Sequence, residues 1–201
     1  MVHKNEEGME IKKKKPDIRF LYDIKEVIYD KKWLRGTKNF PLYYMYRGLK
    51  RNCDLRYDIT VIPPKMLGKE FVKTKGNRNS KAYQELYTVL KGKALFFMQK
   101  TKGKSVEDAF VIEAKPGNWV IVPPNYTIIT INPSKQILKT GNWISEKTQN
   151  IYDEVEQMKG GCYYYIKLGW VKNKNYKKVP QLRFEKPLKQ MPKNLNFLKG
   201  N

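Results

Sequence analysis

The feature that most constrains this chain is a succession of short β-branched and aromatic runs filling residues 40–143, each ended by Gly, Pro or Asn. They are PLYYMYR from Pro41, RYDITVI from Arg56, KEFVKT from Lys69, QELYTVL from Gln84, ALFFMQ from Ala94 and AFVIEA from Ala109. NWVIV from Asn118, TIITIN from Thr127 and ILKTGNWI from Ile137 complete the series. No long helix fits between them. Such even spacing makes an all-β fold, either a closed barrel or a sandwich, which periodicity alone does not separate.

The flanks read differently. Residues 20–33 place Leu21, Ile24, Val27 and Ile28 at helical spacing, and NIYDEVEQMK from Asn150 places Ile151, Val155 and Met158 three or four apart before Gly160-Gly161 stops it. CYYYIKLGW from Cys162 reads as one more strand. The expected organisation is a basic arm over residues 1–19, a single all-β domain with one or two short flanking helices over 20–170, and a basic, proline-rich tail over 171–201.

No stretch approaches the eighteen or so consecutive apolar residues of a membrane span, and the start MVHKNEEGMEIKKKKPD lacks the apolar core of a secretory leader, so a cytoplasmic protein with no membrane partner is expected. Cys53 and Cys162 stand too far apart in sequence for a zinc knuckle and read as reduced structural thiols. Lys and Arg number 41 against 19 acidic residues, a formal charge of +22 that attracts phosphates, nucleic acid or anionic surfaces. A lysine-rich thermophile surface is the plainer explanation, but such surfaces pair lysine with glutamate, and here the acidic half is missing. Nucleic-acid binding through the aromatic strands, Arg47, Lys50, Arg51 and the tail is one reading of that charge, although no stacking or groove-binding motif accompanies it.

Two spaced patterns carry more information. Gly117, Pro123, Asn125, Ile128 and Asn132 fall where the second cupin motif has Gly, Pro, Gly, His and Asn. Asn77 and Asn79, with Glu85 and then Gly92, fall where the first has His-x-His, Glu and Gly. The chain thus resembles the cupins, a double-stranded β-helix barrel, with Gly92, Gly117, Pro123 and Asn132 kept, Asn125 in place of the second glycine, and the histidines replaced. GKEFVKTKGNRN from Gly68, ELYTVLKGKA from Glu85 and PGNWVIVPPNYTIITIN from Pro116 sharpen this to a resemblance to the cupin-type phosphoglucose isomerases of archaea.

That resemblance implies a sugar-phosphate site built from Thr60, Thr74, Lys75, Gly76 and Tyr87, with Tyr43 lining the pocket. Hydroxyls, a glycine amide and a lysine are a donor set for an oxyanion. It implies that Glu85 is the carboxylate that ligates a metal and transfers a proton; the structural reading pairs it instead with a Lys or with Arg78. A three-histidine centre is impossible, because His3 is the chain's single histidine. Asn77, Asn79 and Ile128 stand at the lost ligand positions, and no cofactor is expected. The expected function is therefore a metal-free isomerase relative that binds a sugar phosphate or another anion with little or no turnover. The alternatives are an active aldose–ketose isomerase using Glu85 as base and a basic nucleic-acid-binding cupin. The resemblance also implies a homodimer, since cupins of this kind commonly pair, and exposed strand edges with the tail suit that expectation.

Overall fold

The computed structural model describes residues 14–200, so His3 and most of the basic arm lie outside the described residues. In chain order the strands are β1 (Asp17–Phe20), β2 (Pro41–Asn52), β3 (Leu55–Ile62), β4 (Met66–Leu67), β5 (Glu70–Phe71), β6 (Arg78–Asn79), β7 (Glu85–Lys91) and β8 (Ala94–Lys102). They continue as β9 (Ser105–Ala114), β10 (Trp119–Val122), β11 (Thr127–Ile131), β12 (Leu138–Ser145), β13 (Asn150–Ile151), β14 (Tyr163–Ile166), β15 (Gly169–Lys172) and β16 (Arg183–Glu185). A six-stranded sheet in the order β1-β2-β3-β12-β7-β10 faces a four-stranded sheet in the order β11-β8-β9-β16. The all-β expectation holds as a cupin-like jelly roll, in which isolated bridges such as Asn77–Ile128 tie the connecting segments to β11 in place of a ladder that closes the barrel.

Strand alternation explains where the core sits. In β8, Phe96 and Met98 join Leu42, Ile62, Val120 and Ile128 between the two sheets. Leu95 and Phe97 point the other way, into a second cluster with Ile129, Tyr163 and Tyr176. Both faces of β8 and β11 and of most of β9 are therefore covered, which is why these strands carry nearly unbroken apolar runs. No helix among the described residues is long and apolar enough to cross a membrane.

Several local expectations change. The stretch over residues 20–33 forms a 3₁₀ helix (Leu21–Val27) and then α1 (Lys31–Arg35), but Leu21, Ile24, Val27 and Ile28 are all fully buried, as their spacing predicts. The second helix, α2, is only Asp153–Gln157, because Asn150–Ile151 pairs with β6. Residues 69–74 give a strand of just two residues. Beyond Phe71 the backbone leaves β4, with the Val72 N–H donating to the Lys65 carbonyl and that of Thr74 to the Thr130 carbonyl on β11. CYYYIKLGW folds as the hairpin β14–β15, not as one strand. Cys162 is buried as a structural thiol should be, whereas Cys53 is exposed at the β2–β3 turn with φ 51°.

The tail packs along the body. β16 runs parallel to β9, Arg183 grips both Asp108 carboxylate oxygens at 2.9 and 2.8 Å, and Leu198 is buried beside Leu55 and Leu86. The motif frame behaves as its residue types require. Gly92 has φ +82°, and a Cβ there would meet the Ile137 carbonyl oxygen at 2.7 Å. Asn125, where the cupin motif has its second glycine, adopts φ 65°, a left-handed conformation that asparagine tolerates.

Candidate functional site

The inward positions of three adjacent strands fall into rows. Asn142 on β12 is registered with Asp58 on β3 and with Tyr87 on β7. In the next row Thr140 pairs with Thr60 and Val89, and in the row on the other side Ile144 pairs with Arg56. Polar side chains thus line the inside of a sheet whose remaining inward positions are apolar. They open onto a cavity of about 60 Å³.

At one end of the cavity lie Thr60, Thr74, Lys75, Gly76 and Tyr43. The Lys75 N–H donates to the Tyr43 hydroxyl at 3.3 Å, and the Thr74 hydroxyl accepts from the Thr130 N–H at 3.0 Å. Gly76 has φ +90°, and a Cβ there would press on Ile129, so the turn stays bare of side chain where it borders the cavity. The Lys75 ammonium is paired with Glu156 of α2 and lies 5.2 Å from the centre of the Tyr152 ring, with Arg19 over the same ring at 5.8 Å. The Arg19 Nε is buried without an acceptor. Burial pushes the Tyr43 phenol up to about 12.

Glu85 is 2% exposed and accepts from the Asn142 amide at 3.1 Å. Burial pushes its carboxyl up to about 7 and the nearby charge of Asp58 adds to the rise, while hydrogen bonds from Tyr87, Asn142 and Asn79 hold it back. The Tyr87 phenol is raised well above its ordinary value by burial and then by Glu85. Asp58, 5% exposed, accepts from the Gly48 N–H at 2.7 Å and from the Arg56 Nε at 3.2 and 3.0 Å, with Arg47 at 3.6 Å.

The structure brings together every residue that the sequence nominates for the sugar-phosphate site. Asn77 and Ile128 line the same cavity, exchanging backbone hydrogen bonds of 3.1 and 2.9 Å, and Asn79 is buried against Glu85. Arg78 does not pair with Glu85; its guanidinium donates to the Asn79 carbonyl at 3.3 Å. Arg47, read from sequence as part of a basic exterior, lines the cavity and bonds Asp17 at 3.0 Å. Sequence reasoning missed Arg56, Asp58, Asn142 and Tyr152. The available signal was the alternation of polar residues at 56, 58 and 60 and at 140 and 142 within strand-like runs, since buried polar positions mark function more often than frame.

Among the described residues no group of three or more His, Cys, Asp and Glu is placed to hold a metal ion. The Asn77 amide donates to the Asn150 side chain at 3.1 Å, the Asn79 amide to the Tyr83 carbonyl at 3.2 Å, and Ile128 is an apolar side chain, 2% exposed. This set does not fit a transition metal, which needs imidazole, thiolate or several ionised carboxylates.

The profile of the family described as "Glucose-6-phosphate isomerase (GPI)" matches residues 17–181. The glucose-6-phosphate isomerase of Thermococcus litoralis is 34% identical over 128 residues, 61% of this chain and 65% of that protein. That of Pyrococcus abyssi is 34% identical over 121 residues, 57% of this chain and 62% of that protein. The matched stretch thus covers a little under two thirds of these relatives' length. Among solved structures, vicilin from Capsicum annuum is 13% identical with a TM-score of 0.41, over 55% of this chain and 30% of that one. With its profile match spanning the arm's last strand, every strand of both sheets except β16, and the β14–β15 hairpin, this chain belongs to the glucose-6-phosphate isomerase family.

Proposed function

We propose that this chain binds a phosphorylated sugar in the cavity without a transition metal. The observation that carries the reading is the convergence on one small cavity of the Thr60, Thr74, Lys75 and Gly76 donor set with the buried Glu85 carboxyl. The hydroxyls, the Gly76 amide and the Lys75 ammonium suit a phosphate, and Tyr43 closes that end. The sugar chain would then extend toward Glu85 and Asn142.

Metal independence is supported by the donor set, since Asn77 and Asn79 offer only amides, Ile128 offers no donor, and of the motif's ligand positions Glu85 alone supplies a carboxylate. Isomerase turnover is a second reading, favoured by the state of Glu85. A carboxyl whose proton affinity lies near neutrality is suited to take a proton from the carbon beside a carbonyl and return it to the neighbouring carbon.

Calorimetric titration with fructose 6-phosphate, first in chelator and then with added divalent metal, tests the binding. Saturable binding that chelator leaves unchanged is expected; binding that appears only with metal would overturn the proposal. Interconversion of glucose 6-phosphate and fructose 6-phosphate in chelator, abolished by Glu85→Gln, would establish turnover as well.

A further inference from the structure

Arg56 is an anchored fork with its terminal groups uncommitted. Its Nε donates to both oxygens of Asp58, at 3.2 and 3.0 Å, and Asp58 is fixed in turn by the Gly48 N–H at 2.7 Å. No acceptor among the described residues takes a bond from the two terminal nitrogens of Arg56, although the residue lines the cavity and its side chain is 21% exposed. Arg47 differs. Its Nε serves Asp17, one terminal nitrogen lies 3.6 Å from Asp58 and the other contacts the Met45 sulfur at 3.4 Å. Of the two guanidiniums in this cavity, only Arg56 keeps a planar pair of donors for a guest, and that pair suits the two oxygens of one anionic group.

The position of Arg56 relates it to the rest of the site. Ile144 pairs with Arg56, and one step beyond the Trp143–Leu86 pairing the same register sets Glu85 on the opposite side of Ile144. The guanidinium and the carboxyl therefore face each other across one strand. Along β3, Asp58, which holds the guanidinium, stands two residues from Thr60, about 7 Å at the strand rise. That spacing is comparable to the reach of a hexose chain from its phosphate to its first carbons.

We propose that Arg56 forms a second anion subsite, opposite the phosphate end, which grips an oxyanion on the first or second carbon of the sugar. The ligand class is a phosphorylated sugar acid, or the enediolate that Glu85 would generate from a phosphorylated aldose. In that step the Glu85 carboxylate takes the proton from carbon 2, the carbonyl electrons move onto oxygen 1, and Arg56 compensates the charge that develops there. Return of the proton to carbon 1, with that of the carbon 2 hydroxyl passing to oxygen 1, gives the ketose, and atoms and electrons balance without an oxidant or reductant. The proposal rests on the phosphate end being a phosphate site, and its test separates the two.

The full chain is titrated in chelator with fructose 6-phosphate, 6-phosphogluconate and D-gluconate, as wild type, Arg56→Met and Arg56→Lys. Wild type should bind 6-phosphogluconate at least about tenfold tighter than fructose 6-phosphate, the equivalent of about 1.4 kcal/mol. Arg56→Met should bring that ratio close to one while leaving fructose 6-phosphate within about threefold. Should Arg56→Met misfold because Asp58 loses a partner, Arg56→Lys keeps a cation beside Asp58 without the fork and should still lower the ratio severalfold. A ratio near one in wild type, or one that survives in both variants, overturns the subsite. If fructose 6-phosphate fails to bind but gluconate binds in an Arg56-dependent way, the phosphate end is wrong and the subsite stands. Silence from all three ligands removes both.

Discussion

The Asn142 side-chain amide donates to the Glu85 carboxylate at 3.1 Å, and the register sets Asn142 directly between Asp58 on one neighbouring strand and Tyr87 on the other. That amide is bonded to Glu85, while Asp58, held by the Gly48 N–H and Arg56, acts on the same carboxyl through its charge. The amide stabilises the charged form of Glu85, while Asp58 destabilises it. Replacing Asn142 with Ala should raise the pH at which Glu85 ionises, and replacing Asp58 with Asn should lower it. Carboxyl chemical shifts followed through a pH titration would show the two displacements, and movement in the same direction would contradict the assignment.

Glu85 makes stability pH-dependent in a defined direction. The folded chain keeps its proton up to about pH 7, whereas an unfolded glutamate releases it near 4.5. The folded state therefore binds more protons in that window, and the contribution of this group to stability falls as pH rises through it, by on the order of 3 kcal/mol. Thermal unfolding between pH 5 and pH 8 should show a decline that Glu85→Gln lacks; parallel curves would rule this out.

Lys75 is already paired with Glu156, whose side chain is 36% exposed. Glu156→Gln should release the ammonium and tighten inorganic phosphate binding by about fivefold, roughly 1 kcal/mol for a partly exposed pair. Lys75→Met should weaken it. Calorimetry on both variants checks the opposite signs.

Glu70 and Lys73 form a buried ion pair of 2.5 Å, in which Lys73 also donates to the Val27 carbonyl at 2.8 Å and Glu70 accepts from the Tyr29 N–H at 2.9 Å. The pair joins the N-terminal 3₁₀ helix to the segment leading into Thr74. Lys73→Met should cost about 3–5 kcal/mol by stranding a carboxylate, and adding Glu70→Leu should recover much of the loss. Denaturant midpoints of the single and double variants measure this.

At the frame positions, Gly92→Ala should destabilise the fold by about 2 kcal/mol, because φ is +82° and the new Cβ meets backbone at Ile137. Asn125→Gly should be nearly neutral, and Asn125→Val should not, since a β-branched residue resists φ 65°. Thermal midpoints of the three variants decide it.

The legibility of these features in the sequence follows their physical range. Gly92, Gly117 and Pro123 satisfy local backbone demands, so their spacing alone marks the frame, and Glu85 with the Thr74-Lys75-Gly76 turn is carried by the same motifs. Arg56, Asp58 and Asn142 depend on which face of a strand points inward and on which strands are neighbours. That information resides in the pairing of β12 with β3 and β7, residues far apart in the chain. The parallel strand β16 was illegible for a similar reason, since three exposed residues have no period and are placed by the Arg183–Asp108 grip. Arg47 was misread because its charge suits a basic exterior, yet Asp17 and Asp58 draw it to the cavity.

The row arrangement across β12 also governs how the cavity can be altered. Thr140, Asn142 and Ile144 alternate with outward neighbours on one strand, and the register irregularity between Lys139 and Thr140 lies just ahead of them, so a one-residue insertion or deletion within residues 140–144, beyond that irregularity, would turn the residues past it away from the interior. Point substitutions tune the two ends of the cavity separately, whereas length changes within that stretch displace the side chains past them together. Length is therefore constrained within residues 140–144, whereas ahead of Thr140 the strand already tolerates an irregular step.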